Sequence, residues 1–277
     1  MFYTNRRATD TTTSGVSWVH GTEIGIAESK EGAKWTYTGI AKIDYKPDSG
    51  YTYWAPEIID FKGVYHMYLT YVPGVFKDWH HPRYIIHLTS ENLQNWKYQS
   101  TLSLVNDHVI DPCVIQLPNG KWRMFYNNET DHKSIYFADS PDLNQWTDGS
   151  KAIYDQPGEG PKAFRWHNKY WLITDVWEGL GVYSSDDLKT WVRQTGGNLL
   201  SDEGKGTDDG VKGGHCDVRV SSNGRAYLYY FVHPGIKNAH GSRFQKQRTS
   251  IQVVELKYID GKITCDRDSP TYVDLKP

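Results

Sequence analysis

Three cysteines in 277 residues, Cys113, Cys216 and Cys265, are odd in number and lack C-x-x-C spacing. Neither a disulfide framework nor a zinc cluster is indicated, and they read as small buried hydrophobes. The formal charge is −2 with no basic run, so the clustered Lys and Arg that phosphate backbones demand are missing and nucleic acid is set aside as a partner. No stretch approaches the roughly 18 apolar residues of a membrane span, and the N-terminus has no charged segment followed by an apolar one, which argues against the membrane. Long apolar stripes at 3.6-residue spacing are also lacking, leaving little for helices.

Aromatics are abundant, with 20 Tyr and 11 Trp against 3 Met. Such side chains fill half-buried pleated surfaces and stack on flat apolar ligands, favouring β-structure and sugar or base stacking. A repeat organises them. Ser-x-x-(Leu or Gly)-x-x-Trp occurs at Ser29 to Trp35, Ser90 to Trp96, Ser140 to Trp146 and Ser185 to Trp191. Before each copy lies an alternating strand such as SIYFADS or GLGVYSS, and hairpins with Gly or Asn at the turn recur in FKGVYHMYLTYV, PNGKWRMFYNN, HNKYWLITD and SNGRAYLYYFV. The unit of strand, tight turn, strand, strand and Trp-bearing outer strand has the length, about 45 to 60 residues, of a four-stranded propeller blade. With a last unit from Gly213 onward, the expectation is an all-β, five-bladed β-propeller forming a single domain over 1–277. A β-sandwich also has regular short strands, but it does not predict the Ser-to-Trp unit, whose Trp is read as blade packing.

Counting nine positions back from the turn residue of each hairpin, from Gly63, Gly120, Asn168 and Gly224, reaches Trp54, Asp111, Glu159 and His215. First strands of propeller blades line one channel, so these four side chains are expected to converge. Two carboxylates, an aromatic and an imidazole suit glycoside hydrolysis, in which paired carboxylates do the proton work and sugar rings stack on aromatics. Each residue also has a plainer role open to it. Asp111 can cap the turn before Pro112, and His215 can be structural or a simple hydrogen-bond donor. Glu159 lies in a Gly- and Pro-bounded turn where the fold itself calls for no Glu.

The stretches YWAPEIIDFKGVYHMYLTY, VIDPCVIQLPNGKWRMFY, GEGPKAFRWHNKYWLITD and GGHCDVRVSSNGRAYLYY, in order and one per blade, resemble glycoside hydrolase family 43 and its five-bladed relatives, families 32 and 117, over essentially the whole chain. The resemblance implies a glycosidase degrading polysaccharide: an exo-acting, inverting enzyme that releases a terminal arabinofuranose, xylose or anhydrogalactose from plant or algal glycans. It implies that Glu159 is the general acid and Asp111 the residue that orients it and tunes its pKa upward by like-charge repulsion. Trp54 becomes the aromatic wall of the terminal-sugar subsite. Glu57, Arg219, Trp18, His20 and His215 join it as substrate-binding candidates, Trp18 and His20 from a loop that is otherwise a solvated one. No cofactor is required; in some members a calcium or other cation lies near the residue that His215 matches. In the anhydrogalactose-cleaving relatives a His serves as acid, which keeps His20, His80, His81 and His215 in play.

Aligning MFYTN at Met1 with MFYNN at Met124 puts the first-blade general base of that family about twelve to thirteen positions before Met1, on the innermost strand that the first blade then lacks. A start at an internal Met is the favoured reading. A phosphorolytic relative that needs no base, with Arg219, Arg243 and Lys212 as phosphate-binding cations, and a propeller that only binds sugar are the alternatives. The C-terminal SPTYVDL could instead add a strand to the first blade and bring Asp274 with it. Asp10, which follows the second strand, is not favoured as base. A leader lost with the missing segment would make the protein secreted or periplasmic; otherwise it is cytoplasmic.

Overall fold

The computed structural model describes residues 1–45, 47 and 50–275. Its strands fall into five sheets taken up in order along the chain, the blades of an all-β, five-bladed propeller. The first sheet is β1 (Phe2–Asn5), β2 (Glu23–Glu28) and β3 (Thr36–Ile40), three strands among the described residues. Next come β4 (Lys42–Ile43), β5 (Thr52–Phe61), β6 (Val64–Val72), β7 (Tyr84–Ser90) and β8 (Asn95–Thr101), where short β4 runs parallel to β8. The third sheet holds β9 (Val109–Gln116), β10 (Trp122–Asn128), β11 (Ser134–Ser140) and β12 (Thr147–Lys151). The fourth is β13 (Glu159–Trp166), β14 (Lys169–Asp175), β15 (Leu180–Ser185) and β16 (Val192–Arg193), and the last is β17 (Gly214–Val220), β18 (Ala226–Val232), β19 (Ser250–Ile259) and β20 (Lys262–Cys265). A short helix, α1 (Arg243–Gln247), precedes β19, and among the described residues no helix is long and apolar enough to cross a membrane.

The Ser-to-Trp repeat turns out to be a turn device. Ser29, Ser90, Ser140 and Ser185 each accept, on Oγ, the backbone N–H three residues on, from Gly32, Leu93, Leu143 and Leu188, at 2.8 to 3.0 Å. Those third residues are all left-handed, with φ of 86°, 61°, 68° and 60°. Gly takes that conformation freely, whereas Leu is strained in it. The three leucines hold it because their side chains are anchored: Leu143 and Leu188 are fully buried. At Gly32 a Cβ would meet Leu275, Tyr229 and Val273 within 2.9 Å, so Gly is required. The repeated Trp varies in burial, from Trp96 at 1% exposed, within the apolar core of its blade, to Trp35 at 37%.

Two compact units make up the chain: Met1–Glu28 with Tyr37–Gly160, and Ser29–Thr36 with the chain from Pro161 on. The first unit is built on two apolar clusters, one around Ile24, Met67, Leu69, Leu88 and Trp96, the other around Tyr68, Val114, Met124, Tyr126 and Leu143. The second is built on Trp171, Ile173, Leu180, Leu228, Val254 and Ile263. In that unit residues 270–275 form no strand. The N–H of Asp274 donates to the Tyr227 hydroxyl and that of Leu275 to the Glu31 carbonyl, which overturns the expectation that SPTYVDL adds a strand to the first blade. Cys113 is buried and all three cysteines are free thiols.

Candidate active site

The inner strand of a blade does not run straight through the expected site position. On β5 the register against β6 shifts between Trp54 and Glu57, setting Ala55 and Pro56 against one residue. On β9 the same happens at Asp111 and Pro112, and on β17 at His215. Ala55, Asp111 and Gly160 are left-handed, with φ of 47°, 59° and 54°, and each precedes a proline that gives the ladder no N–H. The irregularities on β5, β9 and β17 are β-bulges, which re-aim side chains at the end of a strand.

The bulges correct the register read from the turns. Asp111 matches Ala55 and Gly160, one place further along than Trp54 and Glu159. The cause is turn length: the hairpins at Lys62–Gly63 and His167–Asn168 are two-residue turns with both residues at positive φ, whereas β9 and β10 are joined through the five residues 117–121.

Asp111 is 5% exposed. Its N–H donates to Thr70 Oγ1 at 3.0 Å, and its Oδ2 accepts the Gly160 N–H at 3.0 Å. That second bond fixes the backbone beside Glu159, so the two carboxylate residues are brought together. Lys133, in the turn between β10 and β11, places Nζ 3.2 Å from Glu159 Oε2 and 3.6 Å from Glu129 Oε1. Glu129 in turn pairs with the buried Arg83 at 2.7 Å. Burial works against the Lys133 charge, but the carboxylates of Glu159 and Glu129 outweigh it and hold its pKa above the ordinary value. Arg6, directly after β1, is a second cation in this field. Burial pulls its pKa down, and the negative charges of Glu159 and Asp111 push back. Its guanidinium carbon also lies 5.9 Å from the centre of the Trp18 ring.

Sequence reasoning missed Arg6, Lys133 and Glu129. The signal for two of them was present: matching MFYTN to MFYNN puts Arg6 and Glu129 at the same place in their blades. The like-charge pairing expected to raise the Glu159 pKa is therefore one of two opposing influences.

Trp54 is 8% exposed and donates its indole N–H to the Val19 carbonyl at 2.9 Å. It packs with Val19 and Val72, and with Trp18 and Phe76 beside them. The loop that carries Trp18 and His20 is pinned rather than solvated. The Arg7 N–H donates to the Trp18 carbonyl, Arg7 Nη2 to the Ser17 carbonyl, and the Val16 N–H to the Lys77 carbonyl. At Gly15, left-handed with φ 58°, a Cβ would lie 2.0 Å from the Lys77 oxygen, so only Gly lets the two loops meet. Asp10 belongs to this loop and accepts from Thr12 and Thr13. His80 and His81 both face Asp78.

The other candidates are anchored by contacts within the protein. Glu57 uses Oε1 to accept the Val114 N–H at 3.2 Å, which ties β5 to β9. In the second unit the His215 N–H donates to Asp175 Oδ2 at 2.9 Å, and a Cβ at Gly214 would come within 2.7 Å of that same oxygen, which explains the glycine before His215. Arg219 lies four residues further along β17, where it and Lys162 are the cations facing Asp217. Lys212 is paired with Glu178, and Arg243 opens α1.

The family model of glycosyl hydrolases family 43 matches residues 5–263. The fold is that of a thermostable family-43 glycoside hydrolase (TM-score 0.68, 20% identity, 91% of this chain and 88% of that one). It is also that of a family-43 β-xylosidase/α-arabinofuranosidase from a compost microbial metagenome (TM-score 0.66, 16% identity, 95% and 88% covered). A probable sucrose-6-phosphate hydrolase of Psychromonas ingrahamii is 26% identical over 185 residues, 56% of this chain and 33% of that protein. The family match, which spans nearly the full length of a propeller that brings Asp111 and Glu159 together, identifies the chain as a member of glycosyl hydrolases family 43.

Proposed function

We propose that the chain is an exo-acting, inverting glycoside hydrolase that releases a terminal arabinofuranose, xylose or anhydrogalactose from plant or algal glycans. The observation that carries this reading is the bond from the Gly160 N–H to Asp111 Oδ2, which locks one carboxylate against the backbone of the other. In the proposed reaction Glu159 donates its proton to the departing glycosidic oxygen as the bond to the anomeric carbon breaks. Asp111 orients that acid and disfavours its ionised form. Trp54 offers an apolar face for the sugar ring. Water adds to the anomeric carbon from the opposite side, giving the inverted anomer, and its surplus proton passes to solvent, from which Glu159 is reprotonated. Lys133 opposes Asp111, since a neighbouring cation favours the ionised Glu159; binding of a leaving group that takes the place of its ammonium restores the acid.

The β-xylosidase/α-arabinofuranosidase likeness supports a pentose. The test is hydrolysis of aryl pentosides and of short arabino-, xylo- and agaro-oligosaccharides, with and without phosphate. Turnover independent of phosphate supports the reading, and turnover that requires phosphate would replace it with phosphorolysis.

A further inference from the structure

His20 is 2% exposed and follows the 3-10 turn Ser17–Val19. Its Nδ1 is 3.0 Å from Thr52 Oγ1, and the Thr52 hydroxyl proton is given to the Gly74 carbonyl at 2.7 Å. Thr52 must then accept from His20, which places the ring proton on Nδ1 and leaves Nε2 with a bare lone pair. Burial, with the nearby charges of Arg83 and Arg7, pulls the His20 pKa down to about 4, so the ring is neutral at pH 7. Nε2 is fully buried and has no hydrogen-bond partner among the described residues.

A buried acceptor without a donor calls for a physical account. The surroundings say what kind of ligand fits. Around the imidazole stand Trp54 at 5.0 Å, Phe76 at 6.0 Å edge-on and Trp79 at 6.3 Å between ring centres. Trp54 has already committed its indole N–H to Val19. Trp79 is 48% exposed, on the loop between β6 and β7, so it is the wall that can move aside. On the other side of Phe76 lies an open cleft of about 540 Å³, lined also by Ser14, Ser17, Lys77 and His81. The box adjoins the carboxylates: Trp54 is paired across the sheet with Thr70, whose hydroxyl accepts the Asp111 N–H. Apolar ring faces with one acceptor among them match a sugar, which offers a C–H face and a hydroxyl proton at its edge.

We infer that His20 Nε2 accepts a hydroxyl proton from the bound saccharide, and that Trp79 is the movable wall of this hydroxyl-reading subsite. The inference rests on the glycosidase reading above and makes His20 a determinant of which sugar is accepted.

The test is imidazole-nitrogen NMR of the full chain titrated with xylose, arabinose and anhydrogalactose, alongside hydrolysis of the corresponding aryl glycosides. Saturable movement of the His20 Nε2 resonance by one of these sugars is expected, with affinity for that sugar roughly tenfold weaker in Trp79→Ala. His20→Phe is expected to lose roughly 10- to 100-fold in kcat/KM on the same glycoside but far less on its deoxy analogue. If His20→Phe does not fold, the NMR titration and half-exposed Trp79 still decide the matter. An Nε2 resonance already hydrogen-bonded without sugar and unmoved by all three would assign the acceptor to a buried water and overturn the subsite. Turnover with an unmoved resonance overturns the subsite but leaves the hydrolase reading; a moving resonance without turnover does the reverse.

Discussion

Lys133 Nζ lies 3.2 Å from Glu159 Oε2, so the carboxyl proposed as general acid rests beside a cation. Removing that cation in Lys133→Met should make Glu159 hold its proton to higher pH. The alkaline limb of kcat/KM is expected to move upward by a few tenths of a pH unit, the scale of the ~0.2–1 kcal/mol of a partly exposed ion pair. A pH-rate profile of the variant checks it, and an unmoved or lowered limb would separate Lys133 from the acid.

Asp111→Asn should do the opposite. Asn tolerates the left-handed backbone at φ 59° as Asp does, so the fold is retained while the negative neighbour is lost. Without like-charge repulsion the acid ionises more easily, and the alkaline limb is expected to move to lower pH with kcat reduced. Limbs displaced in the same direction by both substitutions would contradict the opposing roles given to Lys133 and Asp111.

Stability should depend on the serine caps. Ser140→Ala and Ser185→Ala each remove the acceptor that holds a left-handed, buried leucine in place. Each is expected to destabilise by about 0.5–2 kcal/mol, the range of helix-cap losses, read from denaturant midpoints. A change below a few tenths would mean that leucine burial alone fixes the turn.

His66 and His87 form a second pH-sensitive feature. Their rings stack 6° from parallel, with Nδ1 of His66 2.9 Å from Nε2 of His87. Burial lowers both pKa values, that of His87 to about 4, and His66 lowers it further. Between the ordinary histidine pKa and about 4 these groups bind more protons in the unfolded chain than in the folded one, so the stability this pair contributes should fall as pH drops through that window. His87 alone sets an upper bound of roughly 3 kcal/mol, at 1.36 kcal/mol per unit. Chemical denaturation between pH 7 and 4 measures it, and a His87→Gln variant should show a flatter profile.

The blade repeat, the hairpins and the neighbourhood of Asp111 and Glu159 were legible in the sequence because each depends on local spacing: period-2 alternation, turn residues and a fixed Ser-to-Trp interval. The register was readable only to one residue. Turn length shifts Asp111 relative to Trp54 and Glu159, and a bulge restores its position without leaving a mark beyond the proline that follows. The charge environment was hidden. Lys133 reaches Glu159 across 26 residues of chain, and Arg6 sits in an unremarkable Asn-Arg-Arg run. Nor does composition reveal that Ser14, Gly15 and Val16 are pinned beneath Lys77, which is what turns a polar, loop-like segment into the frame around His20.

The most direct test of the account compares the chain with Glu159→Gln on unactivated pentose oligosaccharides while NMR follows the anomer released first. The account predicts release of the inverted anomer by the unaltered chain and a rate at least about 10² lower in the variant, the usual size of general-acid catalysis. An unchanged rate in Glu159→Gln, or a retained anomer, would contradict it.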